Sequence, residues 1–137
     1  MQSQKDKDGN VQIEDNVMSI MYAEEQAGYL AGYAAVTEGY KNLGFMGGIA
    51  VPAVIRYGYG FIQGADAAAK DMGLKAGDIK MKYTYVGNFD ASPENNAKAA
   101  AWYNEGTECI FACGGGVGNS VMKSGRDSRQ SCDRCRR

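Results

Sequence analysis

The sequence contains no histidine, which removes the commonest general base of enzymes and excludes a Ser-His or Cys-His nucleophile. It has no excess of positive charge, because 15 lysines and arginines stand against 16 acidic residues, so nucleic acid is not an expected partner. No apolar run approaches the roughly 20 residues of a transmembrane helix, and residues 1–15 are too polar for a signal peptide. With 45% hydrophobic and 23% charged residues, the 137-residue chain has the composition of a globular protein.

Short apolar segments alternate with helix-length segments along the chain. Residues 16–22 are apolar and partly β-branched, which predicts a buried strand. A helix is predicted from Glu24 to Thr37, because its first carboxylates favour the positive end of a helix dipole and Gly39 ends the segment. Five small residues give this helix a face that predicts close packing on a sheet: Gly28, Ala31, Gly32, Ala34 and Ala35.

A second strand and helix follow. Residues 43–46 predict a short strand, and Pro52, which a first helical turn tolerates, begins a helix that runs to about residue 72. Six residues at three- and four-residue spacing form the stripe predicted to face the sheet: Ile55, Tyr59, Ile62, Ala65, Ala69 and Met72. Arg56 could face a ligand cleft or solvate the start of this helix, and solvation is the preferred interpretation.

The second half of the chain continues the alternation. Polar and apolar residues alternate over 80–85, which predicts an edge or half-exposed strand, and a helix is predicted over about 94–105. Residues 109–113 predict a short buried strand in which Cys109 and Cys113 share a face, too far apart to form a disulfide. The whole order predicts an α/β fold with a mostly parallel sheet flanked by helices, whose ligands bind at the carboxyl ends of the strands.

One aromatic residue stands at such a strand end. Phe89 lies in the loop GNFDASP that follows the 80–85 strand. Two interpretations of Phe89 remain open, since a loop aromatic can stack on a planar ligand or can be tucked under its neighbours.

Three motifs imitate binding sites but lack part of what each site needs. The loop GGGVGN over 114–119 lacks the Lys-Ser/Thr of a P-loop, so a glycine turn is the preferred interpretation over a phosphate cradle. Gly58-x-Gly60-x-x-x-Gly64 imitates a dinucleotide motif but lies inside a predicted helix rather than after a strand. A single Cys132-x-x-Cys135, without a second pair or a histidine, cannot complete a tetrahedral zinc site. No metal or cofactor is therefore predicted.

Three segments, taken in order, resemble one known family: NVMSIMYAEEQAGYLAGYAA, LGFMGGIAVPAVIRYGYGFIQGA and YVGNFDASPENNAKAAAWYNEGTECIFACGGGVGNSV. They are similar to the basic membrane protein family of ABC transporter solute-binding lipoproteins, whose characterised members are purine nucleoside receptors. The resemblance covers about residues 10–123. It implies the type I periplasmic-binding fold, in which two α/β lobes close on a nucleoside and deliver it to a membrane permease. It implies no enzymatic activity.

The resemblance also assigns residues and boundaries. Residues 1–42 correspond to the end of the N-terminal lobe and the crossover, and residues 43–123 to part of the C-terminal lobe. Phe89 matches a phenylalanine that stacks on the base, and Gly116, Val117 and Gly118 match a loop that approaches the ligand through its backbone. An intact relative carries a signal peptide, a lipidated cysteine and most of the first lobe ahead of the position of Met1. The parent protein is therefore expected to be lipid-anchored at the outer face of the cytoplasmic membrane.

Residues 124–137 depart from the family, which has a helix and then a strand ending in Gly-Val-Asp. Here the sequence is SGRDSRQSCDRCRR, polar and arginine-rich, and we expect it to match no element. Codons allowed for Ser131 to Arg137, read one base later, can encode Val-Val-Ile-Gly-Val-Asp. A frameshifted tail is therefore the preferred interpretation, with the cysteine pair as its by-product.

Three functions remain after the sequence has been considered. The chain is a fragment of a nucleoside-binding transport protein, a truncated product without function, or a nucleotide-using enzyme of the doubly wound class. The enzyme has least support, because the chain has no histidine and no Lys-Ser/Thr after its glycines.

Overall fold

A computed structural model describes residues 7–9, 15–18 and 20–131 of the chain. Its elements follow in the order α1 (Glu24–Thr37), β1 (Asn42–Gly47), α2 (Pro52–Asp71), β2 (Lys80–Tyr85), α3 (Pro93–Asn104), β3 (Cys109–Cys113) and α4 (Gly116–Ser131). The strands form a parallel sheet in the order β2-β1-β3. The predicted α/β class is confirmed, and β2 lies at a sheet edge as its alternating pattern predicted.

Two hydrophobic cores lie on opposite faces of the sheet, because successive residues of a strand point in opposite directions. Leu43 and Phe45 of β1 belong to the core under α1 and α2, where Phe61 is 1% exposed. Met46 points to the other face, into the core with Ala99 of α3 and residues of α4. The helices therefore cover both faces of the sheet.

The strand predicted over residues 16–22 is absent from the described part of that segment. Residues 15–18 and 20–22 have no strand structure, and the side chains of Met18 and Tyr22 are 84% and 75% exposed. An apolar, β-branched segment becomes a strand only where a neighbour completes its hydrogen-bond ladder. None of the described strands pairs with it. Residues 109–113 do form a strand, but they are half-buried rather than buried, since β3 lies at the other edge of the described sheet.

The buried face of α2 differs from the predicted stripe. The helix lies on the sheet as predicted, but Ile55, Tyr59 and Ile62 are 43%, 60% and 39% exposed. Glycines explain why the predicted stripe was wrong. A hydrophobic pattern counts only apolar side chains, whereas a glycine has no side chain and lets the helix backbone itself contact a neighbour. The residues of α2 that are buried are Val54, Gly58, Gly60, Phe61, Gly64, Ala65 and Ala68.

Helix α1 packs chiefly on α2, not on the sheet as predicted. Four glycines bring the two helix backbones into contact, so the small-residue face of α1 permits close approach to a helix rather than to the predicted sheet. A Cβ atom would lie 2.0 Å from the Phe61 carbonyl oxygen if added to Gly32, and 1.9 Å from the Tyr29 carbonyl oxygen if added to Gly64. The other two glycines of this contact are Gly28 and Gly60.

An ion pair joins the amino-terminal parts of α1 and α2. The Nη2 atom of Arg56 lies 2.7 Å from Oε2 of Glu24, and Glu25 Oε2 lies 3.9 Å from Arg56 Nε. Glu24 is only 8% exposed. Arg56 therefore ties two helices together, and the interpretation that it merely solvates the start of α2 is wrong.

Helix α4 continues to Ser131, so the expectation that residues 124–137 match no element is wrong for 124–131. A polar segment can form part of a helix when its polar side chains lie on the face of the helix that is exposed to solvent. Ser124 is buried, and its hydroxyl lies 2.8 Å from the Asn96 carbonyl oxygen as a donor. Residues 132–137, with the predicted cysteine motif, lie outside the described residues.

At the amino-terminal end of the sheet, Glu108 holds β1 next to β3. Its Oε2 atom accepts the N–H groups of Asn42 at 2.9 Å and Lys41 at 2.8 Å. These two hydrogen bonds lower the pKa of the Glu108 carboxyl below its ordinary value.

Folding lowers the pKa of the Glu108 carboxyl. The ionised carboxylate therefore stabilises the folded chain above the ordinary pKa of glutamate, and this stabilisation is lost as the pH falls through the lower pKa of the folded state. We therefore expect Glu108→Gln to destabilise the chain at pH values above the ordinary glutamate pKa and to flatten the loss of stability as the pH falls below it. Urea unfolding followed by circular dichroism at several pH values measures this. Glu38→Gln, at an exposed glutamate, is the control; an acid dependence identical in wild type and Glu108→Gln would contradict the assignment.

The helix contact predicts a strong effect of one methyl group. Gly64→Ala forces α1 and α2 apart, since the added Cβ would overlap the Tyr29 carbonyl, and we expect a loss of about 1–3 kcal/mol of unfolding free energy. Gly118→Ala is the matched control, because a Cβ there meets no atom within 4 Å. The urea midpoint should fall for the first variant and not for the second. Equal midpoints for Gly64→Ala and wild type would exclude the close contact.

Candidate functional site

The loops that follow the three strands meet at the carboxyl edge of the sheet. The N–H of Gly48, after β1, donates to the Cys113 carbonyl at 2.8 Å. The N–H of Gly87, after β2, donates to the Gly48 carbonyl at 3.1 Å, and the N–H of Gly116 donates to the Phe89 carbonyl at 2.8 Å. Backbone hydrogen bonds therefore join all three loops into one surface, at the edge where parallel sheets bind ligands.

Phe89 lies on this surface with 41% of its area exposed. Two glycines lie against one side of its ring: a Cβ on Gly48 would lie 2.3 Å from the ring atom Cδ1, and one on Gly114 would lie 3.2 Å from the same atom. Gly114 also approaches the backbone of Gly48, where its Cβ would lie 2.7 Å from the amide nitrogen. The ring thus rests on bare backbone on one side while much of it remains accessible. The accessible part of the ring has room for a planar ligand.

The predicted glycine loop, Gly116, Val117 and Gly118, forms the start of α4 at the same edge of the sheet. The N–H groups of Val117 and Gly118 donate to the carbonyls of Gly114 at 3.0 Å and Gly115 at 3.2 Å, and that of Gly116 is bonded to Phe89. The Val117 side chain is fully buried in the core with Met46. Gly118 borders open space, since a Cβ added there would meet no atom within 4 Å. The amides of Gly116, Val117 and Gly118 bond within the protein, so these three do not form a phosphate cradle, in agreement with the missing Lys-Ser/Thr.

The Gly58, Gly60 and Gly64 pattern lies inside α2, where the structure uses these glycines for close packing. Gly58 approaches the Tyr83 ring, while Gly60 and Gly64 contact the backbone of α1. A dinucleotide site requires its glycines in the turn between a strand and a helix, whereas these three lie in the interior of α2.

Two tyrosines and a cysteine lie beneath the same edge. The hydroxyls of Tyr83 and Tyr85 are 2.7 Å apart, and burial, followed by this hydrogen bond, raises the pKa of Tyr83. Burial raises the pKa of the Cys113 thiol to about 11. At neutral pH Cys113 is therefore protonated, which makes it a poor nucleophile and an apolar neighbour of the site.

Three polar residues that the sequence did not single out hold the Phe89 loop: Asn88, Ser92 and Asn95. Asn95 is 4% exposed, and its side-chain nitrogen lies 2.9 Å from Asn88 Oδ1 and 2.9 Å from the Asp90 carbonyl oxygen. Ser92 caps α3 by accepting the N–H of Asn95 at 3.1 Å. The Ser-Pro-Glu-Asn start of α3 signalled the cap, but nothing in the local sequence signalled the contacts of Asn95 with the loop.

No group of three or more cysteine, aspartate or glutamate side chains is placed to hold a metal ion within residues 7–9, 15–18 and 20–131. Among the same residues, no helix has both the length and the apolar character to cross a membrane.

Comparison with known proteins identifies relatives of this fold and sequence. The family model for PnrA-like ABC transporter substrate-binding proteins matches residues 2–132. The nucleoside-binding protein BmpA of an ABC transporter in Lactococcus lactis is 31% identical over 120 residues, which are 87% of this chain and 32% of that protein. Basic membrane protein D of Borreliella burgdorferi is 29% identical over 85% of this chain and 33% of its own length. The chain thus spans about a third of the curated relatives it matches.

Solved structures agree with the sequence relatives. An ABC transporter solute-binding protein from Conexibacter woesei superimposes with a TM-score of 0.60 at 27% identity, over 75% of this chain and 33% of that one. A solute-binding protein from Aeropyrum pernix gives a TM-score of 0.64 over 80% of this chain and 30% of its own, and at 18% identity shows the fold alone. The predicted fold, part of a periplasmic-binding-protein-like α/β structure, is confirmed. Since the family model covers almost the whole sequence, this chain belongs to the PnrA-like Bmp family of ABC transporter substrate-binding proteins.

Proposed function

We propose that the chain supplies one wall of a cleft that binds a purine nucleoside for import through an ABC permease. One observation carries the proposal. Phe89 lies at the carboxyl edge of the sheet, its ring packs against the backbone of Gly48 and Gly114, and 41% of its area is exposed. An aromatic ring held in this way offers a face for a planar base. The Lactococcus relative, described as nucleoside-binding, supports the choice of ligand class.

In this proposal Phe89 stacks on the base and Gly118 leaves room for the ligand to approach the backbone of the Gly116–Gly118 loop. Val117 contributes through its main chain alone, because its side chain fills the core. The role is capture and delivery, not catalysis. The geometry supports binding from one side, so the rest of the pocket must come from a second wall that closes over the first.

The proposed lobe arrangement assigns residues 43–123 to part of one lobe and residues 1–42 to the end of the other and the crossover. Helix α1 is then the part of the crossover that docks onto the second lobe, since it packs along α2 and shares its core. The parent protein would be a lipoprotein at the outer face of the cytoplasmic membrane.

We further propose that the segment near the end of the chain records a frameshift, and DNA sequencing tests this. The DNA should contain an open frame, displaced by one base, that encodes Val-Val-Ile-Gly-Val-Asp opposite Ser131 to Arg137 and continues beyond it. A displaced frame interrupted by stop codons would show that the arginine-rich segment is native. The nucleoside proposal would then stand on the preceding residues alone.

Loss of the Phe89 ring tests the site. We expect Phe89→Ala to weaken nucleoside binding by about 1–3 kcal/mol, or roughly 5- to 150-fold, because base–aromatic stacking is lost. The measurement is calorimetric titration of adenosine and guanosine into the product of the longest open reading frame that contains this chain.

Two control variants make the result specific. Phe89→Tyr keeps a stacking ring and should retain most of the affinity. Tyr40→Ala removes a ring of similar exposure, 38%, that precedes β1 at the opposite edge of the sheet, and should leave binding unchanged. Unchanged affinity in Phe89→Ala, or an equal loss in Tyr40→Ala, would exclude Phe89 as the stacking residue.

A further inference from the structure

We infer that Asn95 is a positioning residue that holds Phe89 in the orientation needed for stacking; this inference rests on the proposed nucleoside site. Asn95 lies in the first turn of α3 and is 4% exposed. Its side-chain nitrogen donates to Asn88 Oδ1 at 2.9 Å and to the Asp90 carbonyl at 2.9 Å. The two acceptors belong to the residues immediately before and after Phe89.

The chemistry of the neighbours determines the orientation of the Asn95 amide. The N–H of Asp90 donates to Asn88 Oδ1 at 3.1 Å, which identifies that atom as an oxygen, and the other acceptor is a backbone carbonyl. Both positions require a donor, and an amide NH₂ has two protons. Asn95 therefore uses its whole donor capacity on the loop, and an aspartate in its place would face two oxygen atoms.

A third hydrogen bond completes the support of Phe89. The N–H of Gly116 donates to the Phe89 carbonyl at 2.8 Å, so the residue's own backbone and both of its neighbours are fixed. Gly48 and Gly114 limit the ring itself. An aromatic fixed before binding loses less conformational entropy when the ligand arrives, which favours affinity.

Burial makes Asn95 the decisive member of this network. Water competes weakly for a buried amide, so removal of its donors leaves the loop acceptors without an equivalent replacement. The Asn95 backbone also donates to Ser92 Oγ at 3.1 Å. The residue thus joins the start of α3 to the Phe89 loop, and the helix serves as the rigid support of the ring.

The test variant is Asn95→Asp, which keeps the shape of the side chain and replaces the two amide donors by a carboxyl group, which has at most one proton to donate. Asn96→Asp is the matched control on the next residue, because Asn96 Oδ1 accepts a hydrogen bond from the Ser124 hydroxyl and a carboxylate can accept the same bond. Both variants are made in the product of the longest open reading frame that contains this chain.

The first readout observes Phe89 without any ligand. With 4-fluorophenylalanine incorporated at position 89 alone, fluorine NMR should give one sharp resonance in wild type and in Asn96→Asp. In Asn95→Asp we expect that resonance to broaden or to move towards the position of a solvent-exposed ring. An unchanged resonance overturns the inference, whether or not the protein binds nucleosides.

The second readout is a double-mutant cycle with adenosine as the probe. Asn95→Asp should weaken binding by about tenfold or more, up to the loss caused by Phe89→Ala, and should cause no further loss when Phe89 is already alanine. Equal losses in both backgrounds overturn the inference, since Asn95 would then act independently of Phe89. If Phe89→Ala leaves affinity unchanged, the proposed function fails, while the fluorine spectrum still decides whether Asn95 holds the loop.

A second variant covers the case in which Asn95→Asp does not fold. Asn88→Ala removes one acceptor and the turn formed with the N–H of Asp90 while it leaves α3 intact. The same broadening of the fluorine resonance and the same non-additive loss of affinity are expected. A wild-type spectrum together with wild-type affinity in Asn88→Ala overturns the inference.

Discussion

Both cores and the candidate site depend on the pairing of β1 with a parallel strand along each of its edges. Asn42–Gly47 is bonded to β2 on one side and β3 on the other, so it is the only described strand with two neighbours. Its alternating side chains enter the two cores, and Gly47 and Gly48 at its end allow the other loops to approach. A single short strand therefore positions the helices of both layers and brings the three loops together at the carboxyl edge of the sheet.

The bounds of the elements from α1 to β3 could be predicted closely from sequence, whereas their partners could not. Helix α1 was predicted from Glu24 to Thr37 and observed over the same residues, since dipole and stop signals are local. The partner of α1 depends on glycines in α2 that contribute nothing to a hydrophobic stripe. Residues 16–22 show the converse, because an apolar pattern predicts burial only when a neighbour is available to cover it.

The candidate site was predictable in part for the same reason. Phe89 was recognisable as an aromatic at a strand end, and its edge of the sheet follows from the alternation of strand and helix. The glycine loop was recognisable too, but sequence could not show that the amides of Gly116, Val117 and Gly118 bond within the protein. Asn95 was missed because its acceptors lie five and seven residues earlier in a loop, a relation that neither helix nor strand periodicity describes.

The position of the only tryptophan has a practical consequence. Trp102 belongs to the core on the α3 and α4 face, and a Cβ on Gly44 would lie 2.9 Å from its ring. Gly44 is near the start of β1, whereas Phe89 lies beyond its end, a separation along the strand of about 13 Å at ~3.3 Å per residue. We therefore expect intrinsic tryptophan emission to report the packing of the sheet near its amino-terminal edge and to respond little to a solute at the opposite edge. Optical detection of such a solute requires a fluorophore in the solute itself or one placed beside Phe89.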